Sequence, residues 1–192
     1  MKHVGVVDAE GGPLLLGDAK VVRLAWRGTE GDGSDYERAC KLLDGVQGHS
    51  IALGAAQGLL WDMAGPGTAD VFTDQLDGIL IMRTWIENEI DIKAVFELAA
   101  LPLTASTSLG SLRITSGLLV VLSSVESGKC LLASDLQSLN VAESARPTGD
   151  MSTTSSGLLV RVPIGNYLCL HDEVELEDGQ SARRCFLSRI KN

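Results

Sequence analysis

Few residue patterns in this 192-residue chain have the types and spacing that catalysis requires. Ser127-Gly128-Lys129 contains the Gly-Lys pair of a phosphate-binding loop. A complete loop also needs a glycine five residues before Gly128 and a hydroxyl residue after the lysine, but Ser123 and Cys130 stand there. The N–H groups that would cradle a phosphate are therefore not specified, and we expect a turn. The motifs of zinc proteases, serine hydrolases and dinucleotide-binding folds are absent from the sequence.

Metal ligands are equally sparse. Cys169 and His171 are two residues apart and would share one face of a strand, but they offer only two ligands. Residues 30–35 combine acids and glycines, yet they lack the acid order and the terminal glutamate of a calcium loop. We therefore expect no metal and no other cofactor. The cysteines have no paired spacing and are predicted to be core thiols: Cys40, Cys130, Cys169 and Cys185.

A site assembled from distant residues stays open as the alternative. Asp32, Asp35, His49 and Arg83 have side chains that acid–base chemistry or ligand binding uses. Such a site would make the chain an enzyme or a small-ligand-binding protein. A pocket with clustered titratable groups would favour this alternative, whereas a shallow acidic surface would favour a binding protein.

The strongest local signal is acidic. Residues 171–178 read His-Asp-Glu-Val-Glu-Leu-Glu-Asp and contain no Lys or Arg. One interpretation is a solvated hairpin whose acids face Arg183, Arg184 and Arg189 on the return strand. The other is a docking surface for a basic partner, because complementary charge speeds association and selects the partner. The docking interpretation gives these candidate partner-binding residues: Asp172, Glu173, Glu175, Glu177 and Asp178.

Overall charge excludes some partners. Sixteen Lys and Arg against twenty-five Asp and Glu give a formal net charge of −9, which repels nucleic acid and an anionic membrane surface. The N-terminal residues have no apolar run of signal-peptide type, and no long uncharged apolar stretch follows. We expect a cytoplasmic protein that binds neither nucleic acid nor membrane; its oligomeric state is not predicted.

The positioning elements are mostly strands. Short apolar runs bounded by Gly, Ser, Asp and Pro predict strands, and they cover residues 13–16, 49–53, 78–82, 108–115, 118–122, 158–162 and 185–190. Apolar spacing predicts helices at residues 35–44, capped by Ser34 or Asp35 and ended by Gly45, and at residues 89–101, capped by Asn88. The predicted fold is α+β, predominantly antiparallel β, with about two short helices packed on the sheet.

Length and composition predict one domain over residues 1–192. Residues 135–156 are rich in Ser, Thr, Asn and Gly and predict a connection, with one short strand near Leu139, between two possible lobes. Ser-Gly-Leu-Leu-Val occurs at Ser116 and again at Ser156, and whether it marks a duplication is left open.

Several local patterns occur in a recognisable order. The first forty residues contain Gly12-Pro13 before an apolar run, then Trp26-Arg27-Gly28, then the segment 35–40, Asp-Tyr-Glu-Arg-Ala-Cys. Arg83-Thr84-Trp85 and Gly165-Asn166-Tyr167 follow. In this order the chain resembles the immunity protein 21 family of bacterial polymorphic toxin systems. The match is dense only near the N-terminus, and the Arg-Trp pair is one residue wider here than in the family.

The resemblance implies a predominantly β, non-catalytic protein that binds and neutralises one cognate toxin domain. We expect most of the shared residues to serve the fold: Gly12, Pro13, Trp26, Gly28, Asp35, Tyr36, Ala39, Cys40, Arg83, Trp85 and Tyr167. Arg38 lies off the apolar stripe of its helix, so it is assigned either to an ion pair with Asp35 or to the partner.

Overall fold

In the computed structural model of the chain, the described residues are 1–9, 11–44, 49–74, 78–86, 92–104, 106–138, 145–147, 156–177 and 179–191. They contain twelve strands, which are, in chain order, β1 (Lys2–Ala9), β2 (Leu14–Asp18), β3 (Ser50–Leu53), β4 (Ala56–Trp61), β5 (Gly67–Thr73), β6 (Gly78–Trp85), β7 (Thr107–Ile114), β8 (Leu118–Ser123), β9 (Ala145–Pro147), β10 (Gly157–Arg161), β11 (Gly165–Glu175) and β12 (Ser181–Arg189). The helices are α1 (Ala19–Ala25), α2 (Asp35–Asp44), α3 (Ile92–Ala100) and α4 (Ala133–Ser138), with a short 3₁₀ turn at Gly128–Cys130.

The strands form two six-stranded sheets. Sheet 1 has the order β1-β5-β6-β12-β11-β7 and sheet 2 the order β3-β4-β2-β8-β10-β9. Neighbouring strands in both sheets run antiparallel. The predominantly antiparallel β character expected from the sequence is therefore confirmed.

A continuous apolar core lies between the two sheets. Alternate side chains of both sheets meet there, among them Trp61, Ile81, Val121 and Cys185. Sheet 2 is covered on its other face as well, by α1 and α2. Its central strands are thus buried on both sides, and every residue of β8 is buried. This double burial explains why the segment reads as an unbroken apolar run instead of an alternating one.

The outer face of sheet 1 carries α3. Val95, Leu98 and Ala99 of this helix pack against Phe72 and Met82 of the sheet. The layers are therefore helix, sheet, sheet, helix. Among the described helices, none combines the length and the apolar composition needed to span a bilayer.

The expected number of helices is wrong. The predicted helix 35–44 matches α2, with Ser34 Oγ accepting a hydrogen bond from the Glu37 N–H at 3.2 Å, and α3 lies within the predicted span 89–101. The part of the chain that the structure describes also contains α1 and α4. The proposed stop at Gly45 and cap at Asn88 lie outside the described residues.

Helix α1 was missed because its sequence carries little helical signal. It has only seven residues, two of them adjacent valines, and it follows β2 without a break. Its start depends on Asp18, whose carboxylate accepts hydrogen bonds from the N–H groups of Lys20 at 3.0 Å and Val21 at 3.4 Å. The same carboxylate accepts hydrogen bonds from Thr115 and Ser116 of the β7–β8 turn. A contact so distant in sequence has no local pattern.

The segment predicted as a connection, residues 135–156, contains the end of α4 and strand β9 where it is described. The strand proposed near Leu139 lies outside the described residues. The repeated pentapeptide contributes to β8 and β10, which pair directly with each other in sheet 2.

Candidate functional site

The acidic run lies on β11, whose partner strand β12 returns with the arginines opposite the acids. In the register of this hairpin, Asp172 faces Arg184 and Glu173 faces Arg183. The predicted pairing of acids with arginines is therefore confirmed for these two pairs, but Arg189 faces Tyr167 and not an acid. The predicted hydration of the hairpin is wrong for Asp172 and Arg184, whose side chains are both buried. Because successive side chains of a strand point to opposite faces, the two pairs lie on opposite sides of sheet 1.

Asp172 points to the outer face and is an internal residue. It is 3% exposed, and its carboxylate accepts two hydrogen bonds from Arg184, at 2.8 and 2.6 Å. The backbone N–H and hydroxyl of Thr104 each donate to it at 3.0 Å. Its assignment to a docking surface is therefore wrong: the carboxylate is enclosed and fully engaged.

Arg184 explains why this ion pair is buried. Its guanidinium also donates to three backbone carbonyls where α3 ends, at 2.9 to 3.0 Å: those of Leu98, Leu101 and Pro102. Carbonyls at a helix end lack hydrogen-bond donors inside the helix. The guanidinium of Arg184 provides those donors here. Burial alone would raise the pKa of Asp172, but the hydrogen bonds from Arg184 and Thr104 outweigh it and lower that pKa. The pair fastens α3 to sheet 1.

Glu173 points to the inner face, where the surface is open. Its ion-pair partner is Arg183, whose Nε donates to Glu173 Oε1 at 2.8 Å. Arg183 also donates to the Asp62 carbonyl at 3.1 Å. Glu175 and Glu177 are exposed. Asp178 lies outside the described residues. Of the predicted docking acids, the described ones that remain accessible are thus Glu173, Glu175 and Glu177.

Two rows of side chains cross three neighbouring strands at this end of the inner face. Within each row, the residues lie directly opposite one another on adjacent strands. The first row is Glu173, Arg183 and Arg83, and the second is Glu175, Ser181 and Trp85. We call these six residues the ledge. Further along the same face the positions become apolar and join the core, as Ile81 and Cys185 do. The ledge is therefore the polar end of the surface that elsewhere packs against sheet 2.

Arg83 holds the ledge against the loop that follows β4. Its guanidinium donates to the carbonyls of Met63, at 2.9 Å, and Gly65, and it lies 4.8 Å from the centre of the Trp85 ring. Burial, together with the nearby Arg183 charge, lowers the pKa of Arg83. Trp85 remains 38% exposed. The wider Arg-Trp spacing noted in the sequence puts both side chains on one face, where they stack.

An open groove of about 430 Å³ lies on the ledge, and its lining includes Ala64, Trp85, Glu173, Glu175, Ser181 and Arg183. Ala64 has a φ of 60°, a left-handed conformation that costs a non-glycine residue roughly 1–2 kcal/mol. The Asp62 carboxylate accepts a hydrogen bond from its N–H at 2.8 Å. Non-glycine residues in this conformation are enriched at ligand-binding loops.

His171 borders the ledge. Its Nε2 lies 3.9 Å from Glu173 Oε1 and, among the described residues, has no hydrogen-bond partner. Burial, then the Arg183 charge, lowers the pKa of His171, which favours the neutral ring. Cys169, its proposed companion as a metal ligand, is buried in the core with its Sγ 3.5 Å from that of Cys185. The described residues contain no group of three or more His, Cys, Asp or Glu placed to hold a metal ion.

The N-terminal motif residues meet at a second place, beside α2. The Tyr36 ring packs over Gly12, where an added Cβ would lie 2.6 Å from Cε2 of the ring. The Tyr36 hydroxyl donates a hydrogen bond to the Gly11 carbonyl at 3.3 Å, and the backbone N–H of Tyr36 donates one to the Gly28 carbonyl at 3.0 Å. Gly28 has a φ of 60°, and a Cβ there would lie 2.4 Å from the Val125 carbonyl oxygen. Both glycines are therefore required by close packing.

Asp35 and Arg38 belong to the same junction. One carboxylate oxygen of Asp35 accepts the Arg27 N–H at 2.8 Å, and the other lies 3.1 Å from the Arg38 guanidinium. Arg38 also donates to the Ala52 carbonyl on β3 at 3.0 Å. The pairing with Asp35 that the sequence offered for Arg38 is therefore present, although its side chain is still 47% exposed.

The other residues that carry the resemblance described in the sequence analysis are largely buried. Trp26, Ala39 and Tyr167 lie in the core, and the Tyr167 hydroxyl donates to the Pro163 carbonyl at 2.6 Å. Pro13 is buried and Cys40 half-buried. The expected structural role fits these positions, whereas Trp85 is the shared residue that lines the ledge groove.

The alternative constellation is not assembled into one site. Asp35 is occupied by Arg27 and Arg38, Arg83 by the loop after β4, and the His49 ring by the Leu60 carbonyl at 3.1 Å. Asp32 is exposed in a turn.

Comparison of the chain with models of protein families, with curated proteins and with solved structures gives no match in any of the three. Family membership therefore stays a prediction from the N-terminal motifs.

Proposed function

We propose that this chain is a non-catalytic immunity protein, which binds and neutralises the cognate toxin domain of a bacterial polymorphic toxin system in the cytoplasm of the producing cell. The order of the motif residues supports the family, and the ledge supports the binding mode. The ledge observation carries most weight: an exposed tryptophan, two accessible carboxylates and a strained loop surround one open groove.

The features of the ledge favour protein binding over turnover. Tryptophan and arginine are the residues that most often dominate the binding energy of protein interfaces, and both occur here. The charged groups Arg83 and Arg183 are already held by backbone carbonyls and Glu173. Such a preorganised surface needs little ordering when a partner arrives.

The net charge of −9 supports the choice of partner. A toxin domain that acts on nucleic acid usually presents a basic cleft, and an acidic surface attracts that cleft from a distance. Glu175 lines the groove, and Glu177, two residues further along the chain, is exposed as well, so both can contribute to this attraction. In this proposal the ledge covers the cleft and keeps its substrate out.

The test uses the toxin domain encoded by the gene immediately upstream. Glu175→Ser together with Glu177→Ser should slow association with that domain by about tenfold at low ionic strength, because two steering charges are lost. The measurement is the association rate by surface plasmon resonance, with cell survival during co-expression as the readout of protection.

The matched control is Asp32→Ser together with Glu37→Ser, which removes the same charge from exposed positions elsewhere. This control should associate nearly as fast as the unaltered protein. Failure of the unaltered protein to bind or protect against the toxin domain would overturn the proposed function. Equal association rates for the two double variants would show that the acids at the ledge play no special part in binding the toxin domain.

A further inference from the structure

The two rows of the ledge give the groove a defined shape. Glu175, Ser181 and Trp85 lie directly opposite one another on three neighbouring strands. Strands in a sheet are separated by about 4.8 Å, so the backbones of Glu175 and Trp85 lie about 10 Å apart. Ser181, whose side chain is small, lies between them. The groove therefore has a carboxylate wall and an aromatic wall, with a serine at its base.

Each wall has spare binding capacity. Arg83 covers part of Trp85, but 38% of this residue stays exposed and its ring lines the groove. The Glu175 carboxylate makes no hydrogen bond or ion pair with any other residue that the structure describes, whereas the carboxylate of Glu173 on the same strand is bound by Arg183. An unsatisfied acceptor and an aromatic surface thus face the same space.

These walls match the chemistry of one side chain. A guanidinium is planar, stacks on aromatic rings and donates two parallel hydrogen bonds to a carboxylate, whereas an ammonium is a point charge with no face to stack. The ledge already contains both contacts: Arg83 lies over Trp85, and Arg183 binds Glu173. A third guanidinium would repeat them across the groove. A volume of about 430 Å³ falls in the usual range of roughly 300–1,000 Å³ for ligand pockets.

We propose that the ledge groove is an anchor pocket for a single arginine side chain of the toxin domain, which lies between Trp85 and Glu175. The inference depends on the proposed function only for the source of the arginine. The pocket chemistry itself can be tested without any toxin. Glu175 supplies the charge, and Trp85 supplies the selection for a flat cation.

The experiment uses three acetylated and amidated tripeptides with Arg, Lys or Glu between two glycines as probes. The whole protein is labelled with 5-fluorotryptophan, and its three ¹⁹F signals are followed during titration; Trp85→Phe identifies the signal of Trp85. The Arg peptide should shift that signal in a saturable manner, and the signals of the buried Trp26 and Trp61 should stay unchanged. The Lys peptide should bind about fivefold more weakly and the Glu peptide not at all.

The matched variants are Glu175→Gln, which keeps the shape of the pocket, and Glu37→Gln on α2, which removes one charge elsewhere. Glu175→Gln should weaken the Arg peptide by about fivefold or more, because a hydrogen bond to a charged carboxylate is lost, and Glu37→Gln should leave it unchanged. Equal affinity for Arg and Lys, or equal effects of the two variants, would overturn the proposal. So would a Trp85 signal that does not respond.

The two proposals fail separately. A protein that binds and protects against the toxin domain but ignores the Arg peptide keeps the proposed function and loses the anchor pocket. A protein that binds the Arg peptide selectively but leaves the toxin domain unbound keeps the pocket and loses the proposed partner.

Discussion

The buried pair of Asp172 and Arg184 makes the sharpest stability prediction, for the substitution Arg184→Met. Methionine keeps much of the apolar stem but removes the cation. Asp172 would remain enclosed with only the Thr104 donors, and the three carbonyls at the end of α3 would lose their partner. Removing one partner of a buried ion pair costs about 3–5 kcal/mol, a large part of the roughly 5–15 kcal/mol by which proteins are stable.

The neighbouring arginine provides the control. Arg183→Met makes the same chemical change one residue earlier, but the Glu173 carboxylate that it leaves behind is 61% exposed and can be hydrated. Exposed ion pairs contribute at most about 1 kcal/mol. Urea unfolding at neutral pH, followed by circular dichroism, should therefore rank Arg184→Met far below Arg183→Met in free energy of unfolding.

A second variant tests the physical cause. Adding Asp172→Asn to Arg184→Met removes the uncompensated charge but keeps an acceptor for Thr104, so it should recover more than about 1 kcal/mol. If Arg184→Met lost no more stability than Arg183→Met, or if the double variant were no better than Arg184→Met, the assignment of this pair as the fastening of α3 would be refuted.

Two other predictions concern backbone strain and acid. Ala64→Gly should stabilise the protein by about 0.5–1 kcal/mol, because relief of the left-handed strain exceeds the added entropy of the unfolded chain. The control Ala55→Gly, in an exposed turn, should destabilise it. If urea unfolding showed a lower free energy of unfolding for both variants, strain at Ala64 would be contradicted. Stability should also fall in acid. Burial opposes ionisation of Asp18 and Asp172, but hydrogen bonds outweigh it and lower both pKa values below the ordinary 3.8. Their contribution is therefore complete above that pH and lost as pH falls below it; urea midpoints that did not change between pH 5 and pH 2, or an Asp18→Asn variant with the same acid sensitivity, would contradict this.

Strand content could be predicted from the sequence because the apolar runs are bounded by clear turn residues. The acidic run shows the limit of that approach. Asp172 and Glu173 are adjacent acids with the same local pattern, yet one is enclosed with Arg184 and the other lies on the surface. What separates them is the helix packed on one face of the sheet, a contact that residues 171–178 do not encode.

The ledge was only partly predictable for a related reason. Glu173 and Glu175 were singled out within the acidic run, but Trp85 was singled out in a separate pattern far from it in the sequence. Only the register of β6 against β12 brings Trp85 into the row of Glu175. The left-handed conformation of Ala64 had no sequence signal at all, since alanine is not a residue that favours it.

The contact between Arg38 and Ala52 has a consequence for how these molecules behave in a crowded cell. Strand β3 ends sheet 2, and the free carbonyls of a terminal strand are a template on which another chain can polymerise. Arg38 occupies one of those carbonyls with a charged group. Besides its ion pair with Asp35, Arg38 thus also protects this edge of sheet 2 against self-association.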